Sequence, residues 1–231
     1  MLWQAFASFV DSDLLPSPVL VGARLAKLTR EGELFLHVGT TLLRVAASFI
    51  LAMGIGIVIG YAMGRRRWAD TVFDSWLILF LNIPALVTII LCYVWFGLTE
   101  VAAIAAVSIN KIPNVAVTIR EGARKLDRDL MEMAASFRLS KVRVLRYVVL
   151  PQLYPFVAAS ARSGLALIWK IVLVVELLGR GDGIGFQLGI HFQLFDVTGI
   201  IAYALGFIVV IQAIEIFVMQ PVERSATSWQ H

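Results

Sequence analysis

The sequence predicts an all-α polytopic membrane protein: a helical bundle with five clear transmembrane helices and an amphipathic N-terminal segment. Three observations carry this expectation. The 231 residues are 59% hydrophobic and 16% charged, with a mean hydropathy of +0.83, a balance typical of membrane proteins. Five apolar runs are long enough to cross the roughly 30 Å of hydrocarbon in a bilayer. The Lys and Arg residues cluster, eight of twenty lying between residues 120 and 146. The net charge of +4 is therefore a topology signal, and the interleaved acids argue against a nucleic-acid surface. Cys92, the single cysteine, lies in an apolar run, which excludes an intrachain disulfide and gives no basis for metal chemistry.

Met1-Leu-Trp-Gln lacks the basic region and small-residue cleavage site of a signal peptide. Leu15-Pro-Ser-Pro18 interrupts any helix. Residues 19–36 then read as an amphipathic helix bearing Arg24, Lys27, Arg30, Glu31 and Glu33, too charged to span. Residues 40–64 form the first span. Ser48, Ala52, Gly56, Gly60 and Gly64 recur every four residues there, a small-residue stripe that admits a close neighbour. Gly64-Arg-Arg-Arg67 ends it. The second run, 75–99, is broken by Asn82-Ile-Pro84: proline frees a carbonyl and kinks the helix, and Asn82 can bond across helices. The kink serves either packing or a pathway. Trp95-Phe-Gly97 suits an interfacial helix end.

The third span, 101–119, holds Lys111 at mid-membrane, in Ile109-Asn-Lys111-Ile-Pro113-Asn114. A lysine there costs on the order of 3 kcal/mol unless paired or hydrated. It is either a pathway residue or half of a buried ion pair with Glu176 or Glu215. The fourth span, 152–178, puts Arg162, Trp169 and Glu176 on one stripe with Lys170 beside it. That face is too polar for lipid and must meet protein or a watery pathway, although Arg162 can snorkel. Asn82, Lys111, Trp169, Lys170 and Glu176 are thus the pathway candidates. Gly181-Asp-Gly-Ile-Gly185 lacks the strand–loop–helix context of a nucleotide fingerprint and reads as an external turn. The last span is 197–219, with Glu215 near its end. Twelve positive residues fall on the side of loops 65–67 and 120–146 with Arg224, against four on the other, Arg24, Lys27, Arg30 and Arg180. The loop at 120–146 and the C-terminus are therefore expected in the cytoplasm.

Residues 127–151 are the one long polar segment. Asp127 or Asp129 can cap a short helix in which Leu130, Met133, Ala134 and Phe137 recur at helical spacing. Ser140 can cap a second, with Val142, Leu145, Val148 and Val149 on its apolar side. Leu150-Pro151 then opens the next span, proline being tolerated in a first turn. Two amphipathic helices meeting at an angle suit docking on a partner; the plain alternative is a basic loop on anionic lipid.

Glu132-Met133-Ala134, three residues, Arg138, nine residues and Val148-Val149-Leu150-Pro151 together resemble the coupling-loop signature of ABC importer permeases. That pattern is Glu-Ala-Ala, three residues, Gly, nine residues, Ile-x-Leu-Pro. Asp129-Leu130, Leu150-Pro-Gln-Leu-Tyr-Pro155 and Val174-Val-Glu-Leu-Leu-Gly179 are similar to the branch importing nitrate, sulfonates and taurine. The resemblance runs from about residue 15 to the C-terminus. It implies a type I importer permease-like bundle in the bacterial inner membrane, paired with a second permease copy as homodimer or heterodimer. It also implies an external solute-binding protein and two cytoplasmic ATPase subunits, the latter coupled through Glu132, Met133, Ala134, Phe137, Arg138, Leu150 and Pro151. The family's first membrane helix is expected to be missing or reduced to residues 2–10. Arg138 replaces a glycine that usually supplies a left-handed residue, so either the turn is made differently or Arg138 is itself a contact.

The sequence has no Walker loop, no His/Cys cluster and no evident Ser/His/Asp set, and His37, His191 and His231 are scattered. The chain is expected to hold no cofactor or metal, ATP being used by the partner. The expected function is a permease subunit for a small solute. Lys111, Lys170 and Arg162 favour an anion such as a sulfonate, taurine or nitrate. The alternative is a membrane-embedded enzyme with Lys111, Lys170 and Glu176 as a buried acid/base set. All 231 residues are read as one domain: an N-terminal segment at 1–36, three spans in 37–119, the coupling loop at 120–151, two spans in 152–220 and a tail at 221–231.

Overall fold

A computed structural model describes residue 3 and residues 14–221. The expected remnant of a first span at residues 2–10, Trp3 apart, and the tail with Arg224 lie outside the described residues. Ser17 caps α1 (Pro18–Glu31), its hydroxyl accepting from the Leu20 N–H at 3.3 Å, while Pro18 occupies the first turn, where no N–H is needed. Gly32, at φ 81°, ends α1, and α2 (Glu33–Arg65) begins at once. The single amphipathic helix expected over 19–36 is therefore divided by a left-handed glycine, and Glu33 belongs to the span.

The run expected as one kinked span is two helices. α3 (Arg67–Asn82) and α4 (Ala85–Phe96) are bent by 98°. Pro84 supplies no N–H and drives Ile83 to extended backbone, φ −73° and ψ 123°, so the break is complete. Asn82 does not bond across helices; its side-chain amide donates to the Ile78 carbonyl of its own helix at 2.7 Å. α5 (Glu100–Arg124), capped by the Thr99 hydroxyl, carries Pro113 without interruption.

α6 (Arg128–Ser136) is followed by α7 (Lys141–Val144), a π-turn (Leu145–Val149) and α8 (Leu150–Gly179), the last three forming one unbroken helix. Pro151 therefore lies inside a helix rather than opening one. In regular α-geometry its ring would strike the Tyr147 carbonyl four residues back; the widened turn, in which the Leu150 N–H reaches Leu145 O, ends directly before it. A short α9 (Ile184–Gln193), not foreseen in the sequence, follows the turn after Gly179. α10 (Val197–Ile214), capped by Asp196, ends in a second π-turn (Glu215–Met219).

Among the described residues three helices are long and apolar enough to cross a membrane: Glu33–Arg65, Glu100–Arg124 and Val197–Met219. The bent pair α3–α4 makes a fourth if it is one span. The fifth expected span, α8, has 30 residues, about 45 Å at 1.5 Å per residue, but is interrupted by charge.

The centre of the bundle is the seam of α2 with α5. A Cβ on Gly56 would come 2.5 Å from Val115 Cβ, and one on Gly60 would come 2.4 Å from the Ala116 carbonyl. The small-residue stripe thus meets a helix that leaves no room for side chains. Val38 and Val45 of α2, Ala103 and Val107 of α5, Ile168 and Val172 of α8, and Tyr203 and Phe207 of α10 close the core around it.

Candidate functional site

Two polar regions lie at opposite ends of α8. The first is the segment 127–151. Asp127 caps α6, accepting from the Asp129 and Leu130 N–H groups at 2.8 and 3.1 Å. Arg128 and Glu132 pair across one turn at 2.9 Å, both side chains exposed. Such a pair contributes little to stability. At the end of α6 the Leu139 N–H reaches Ala134 O at 3.0 Å and the Arg138 N–H reaches Ala135 O at 2.9 Å. This is a Schellman closure with Arg138 in the left-handed position, φ 49°. The turn is thus made as a glycine would make it, at the cost of arginine strain.

Leu130, Met133 and Phe137 face outward, 41%, 46% and 74% exposed. Ala134, expected on the same docking face, is 1% exposed and turned into the chain itself. Val142 and Tyr147 are also exposed, whereas Val148 and Val149 are buried. Ser140 holds the cap position of α7 but makes no side-chain cap bond. Gln152 ties the segment to α8: its Oε1 accepts from the Asp127 N–H at 2.7 Å and its Nε2 donates to Val148 O at 2.9 Å.

The second region surrounds Arg44, which sequence reasoning did not single out. Arg44, on α2, is 3% exposed. Its Nη1 donates to Glu176 Oε1 at 2.8 Å, and Nε and Nη2 form a fork on Glu100 at 3.0 and 2.6 Å. It also bonds the Asp182 carboxylate and, at 3.0 Å, the Asp182 carbonyl. Glu176, fully buried, accepts further bonds from the Thr41 hydroxyl and the Gly185 N–H. Arg180 reaches Glu100 at 2.6 Å. One guanidinium thereby ties α2, the start of α5, the end of α8 and the turn leading to α9. The available signal was an arginine well inside an apolar span, which demands a buried partner.

The ion pair that is one of the two alternatives for Lys111 does not form. Glu176 is taken by Arg44 and Glu215 by Arg162 at 3.0 Å. Lys111 is 2% exposed and lies over Gly164 of α8, where a Cβ would come 2.7 Å from its Cε. No ion pair or hydrogen bond to its ammonium is present among the described residues. Trp169 is a core residue, packed edge-on against Phe207 at 5.7 Å. Lys170 is exposed on α8. Lys111, Lys170 and Glu176 therefore do not converge, and they assemble no acid/base set.

The chain was compared with known proteins. It is 27% identical over 232 residues to the putative aliphatic sulfonates transport permease protein of Bacillus subtilis, covering 100% of this chain and 84% of that protein. Its counterpart in Escherichia coli K12 is 28% identical over 206 residues, covering 88% and 78%. The taurine transport system permease protein of Escherichia coli K12 is 24% identical over 220 residues, covering 93% and 80%. The fold matches that of a chain of the MetNI methionine ABC transporter in an inward-facing conformation, with a TM-score of 0.68, 19% identity and coverage of 83% and 94%. A family model matches residues 32–220, which include both the Arg44 cluster and the polar segment. By that match the chain belongs to the binding-protein-dependent transport system inner membrane components.

Proposed function

We propose that this chain is the permease subunit of an ATP-driven importer for a small anion of the sulfonate or taurine class, and that α6 is its docking point for a separate ATPase. The observation that carries the reading is the exposed ridge of Leu130, Met133 and Phe137 on an otherwise polar segment, linked by the turn at Arg138 to α7, which runs without a break into α8. A partner that covers this ridge gains roughly 1.5–3 kcal/mol for a side chain such as Phe137. The anion class rests on the names of the relatives and on cations at Lys111 and Lys170. The positive charge of residues 120–146 supports a cytoplasmic setting for α6. Family membership supports a second permease copy and an external binding protein.

Ala134 faces inward, so the test belongs on its exposed neighbours. Phe137→Asp should leave the permease inserted in the membrane but remove the copurifying ATPase, or leave ATP hydrolysis insensitive to the loaded binding protein. Full copurification and normal stimulation in Phe137→Asp would reduce the segment to a basic membrane surface.

A further inference from the structure

Lys111 poses a problem that no contact among the described residues solves. Its side chain leaves the middle of α5 and is 2% exposed. The carboxylates that could neutralise it are held by Arg44 and Arg162. A cation buried away from water persists only with a counter-charge or hydration. Room for it is nonetheless built in: Gly164 of α8 leaves open the volume that Lys111 Cε occupies. One turn before Gly164 on the same face, Ser160 is 1% exposed and its hydroxyl has no hydrogen-bond partner. An ammonium and a hydroxyl donor, both unsatisfied, thus lie along the α5–α8 seam. A small oxyanion would satisfy both, as its oxygens accept charge-assisted hydrogen bonds.

We infer that Lys111 is an intramembrane oxyanion-binding point, completed by Ser160 and opened and closed by α8. This rests on the permease reading and adds the site. In the closed arrangement described, the ammonium is covered. The helix that covers it is α8, which is continuous with the coupling segment through α7 and the π-turn. A displacement of that segment therefore reaches the same seam that hides Lys111. The ligand is a small, singly charged tetrahedral oxyanion of the sulfonate type, of which methanesulfonate is the simplest.

The test uses the full permease–ATPase complex in nanodiscs at constant ionic strength. Thermal unfolding is followed while sodium methanesulfonate replaces sodium gluconate, with choline replacing sodium in a parallel series. The wild type should show a saturable rise in midpoint that does not depend on the cation. Lys111→Met should abolish it without lowering the midpoint in gluconate, because no carboxylate loses a partner. Gly164→Ala, which only pushes the flexible end of Lys111 aside, should weaken apparent affinity about tenfold and covers the case in which Lys111→Met assembles poorly. Lys170→Met should leave the saturable response in place. A response that survives Lys111→Met, or follows Lys170 instead, overturns the site, as does a wild type showing only a non-saturating salt effect. ATPase copurification and stimulation by the loaded binding protein are measured on the same samples, so failure of the site and failure of the permease reading are seen separately.

Discussion

Arg44→Met is the most exacting test of what holds the bundle together at the Glu176 end. Methionine approximates the length of the arginine stem but donates none of the five hydrogen bonds that the guanidinium makes to Glu176, Glu100 and Asp182. Glu100 would keep Arg180, and Asp182 is partly exposed and can turn to water. Glu176 is different: at 0% exposure it would keep only Thr41 and the Gly185 N–H as partners, with no cation. Removing one member of a buried pair costs about 3–5 kcal/mol, or roughly two to three and a half orders of magnitude in the folded-to-unfolded ratio. By the scaling of small soluble proteins this is roughly 6–20 °C in midpoint. The assay is the fraction of monodisperse complex left after graded heating in detergent. Glu176→Gln should cost less, because an amide oxygen still accepts from Gly185, and it should partly rescue Arg44→Met by removing the stranded charge. Wild-type heat resistance in Arg44→Met, or a double variant no better than that single one, would refute the reasoning.

Two further outcomes follow from the geometry. In a Cys92→Ala background, single cysteines at Arg66 and Lys141 should label with an impermeant thiol reagent from the cytoplasmic side and one at Gly181 from the other; labelling of position 141 from outside would invert the topology. Gly181 suits this because a Cβ there meets nothing within 4 Å, whereas Asp182 is engaged by Arg44. Arg138→Gly should stabilise the turn by up to about 1 kcal/mol, the left-handed strain being partly offset by the freer unfolded chain, with ATPase copurification unchanged. Weaker copurification would show that the guanidinium touches the ATPase.

Most of the helices were legible because apolar runs and capping residues act locally. The small-residue stripe in α2 announced a close neighbour, and the Gly56 and Gly60 contacts show how close. The exposed ridge on α6 was likewise readable from helical spacing, except that spacing alone cannot tell which side of a short helix its own chain covers; Ala134 is the residue that suffers from this. The unbroken helix through Pro151 was illegible for another reason: a π-turn has no sequence signature, and proline was assigned its commoner place in a first turn. Partner choice among buried charges was the largest gap. The sequence shows Glu176 as an intramembrane acid and Lys111 as an intramembrane base, and a pair between them is only one of the readings it leaves open. Arg44 wins Glu176 because its fork, anchored on Glu100 at 3.0 and 2.6 Å, still has a nitrogen free to reach 2.8 Å to Glu176. A lysine is a single point donor and cannot bridge in this way.

These placements give α8 a mechanical role that neither end has alone. At one end Glu176 is welded through Arg44 to α2 and to the start of α5, so this end has little freedom to slide. At the other end the helix backbone continues through the π-turn to α7, while Gln152 bonds the first residue before α6. If α6 docks the ATPase as proposed, a push on it reaches the end of α8 that packs through Val149 and Leu153 on Ala123 and Leu126 at the end of α5. The α5–α8 seam over Lys111 lies between that end and the Arg44 cluster. Under that reading, Arg44→Met should weaken stimulation of ATP hydrolysis by the loaded binding protein as well as heat resistance, because α8 loses its tie to α2 and to the start of α5; unchanged stimulation would refute it.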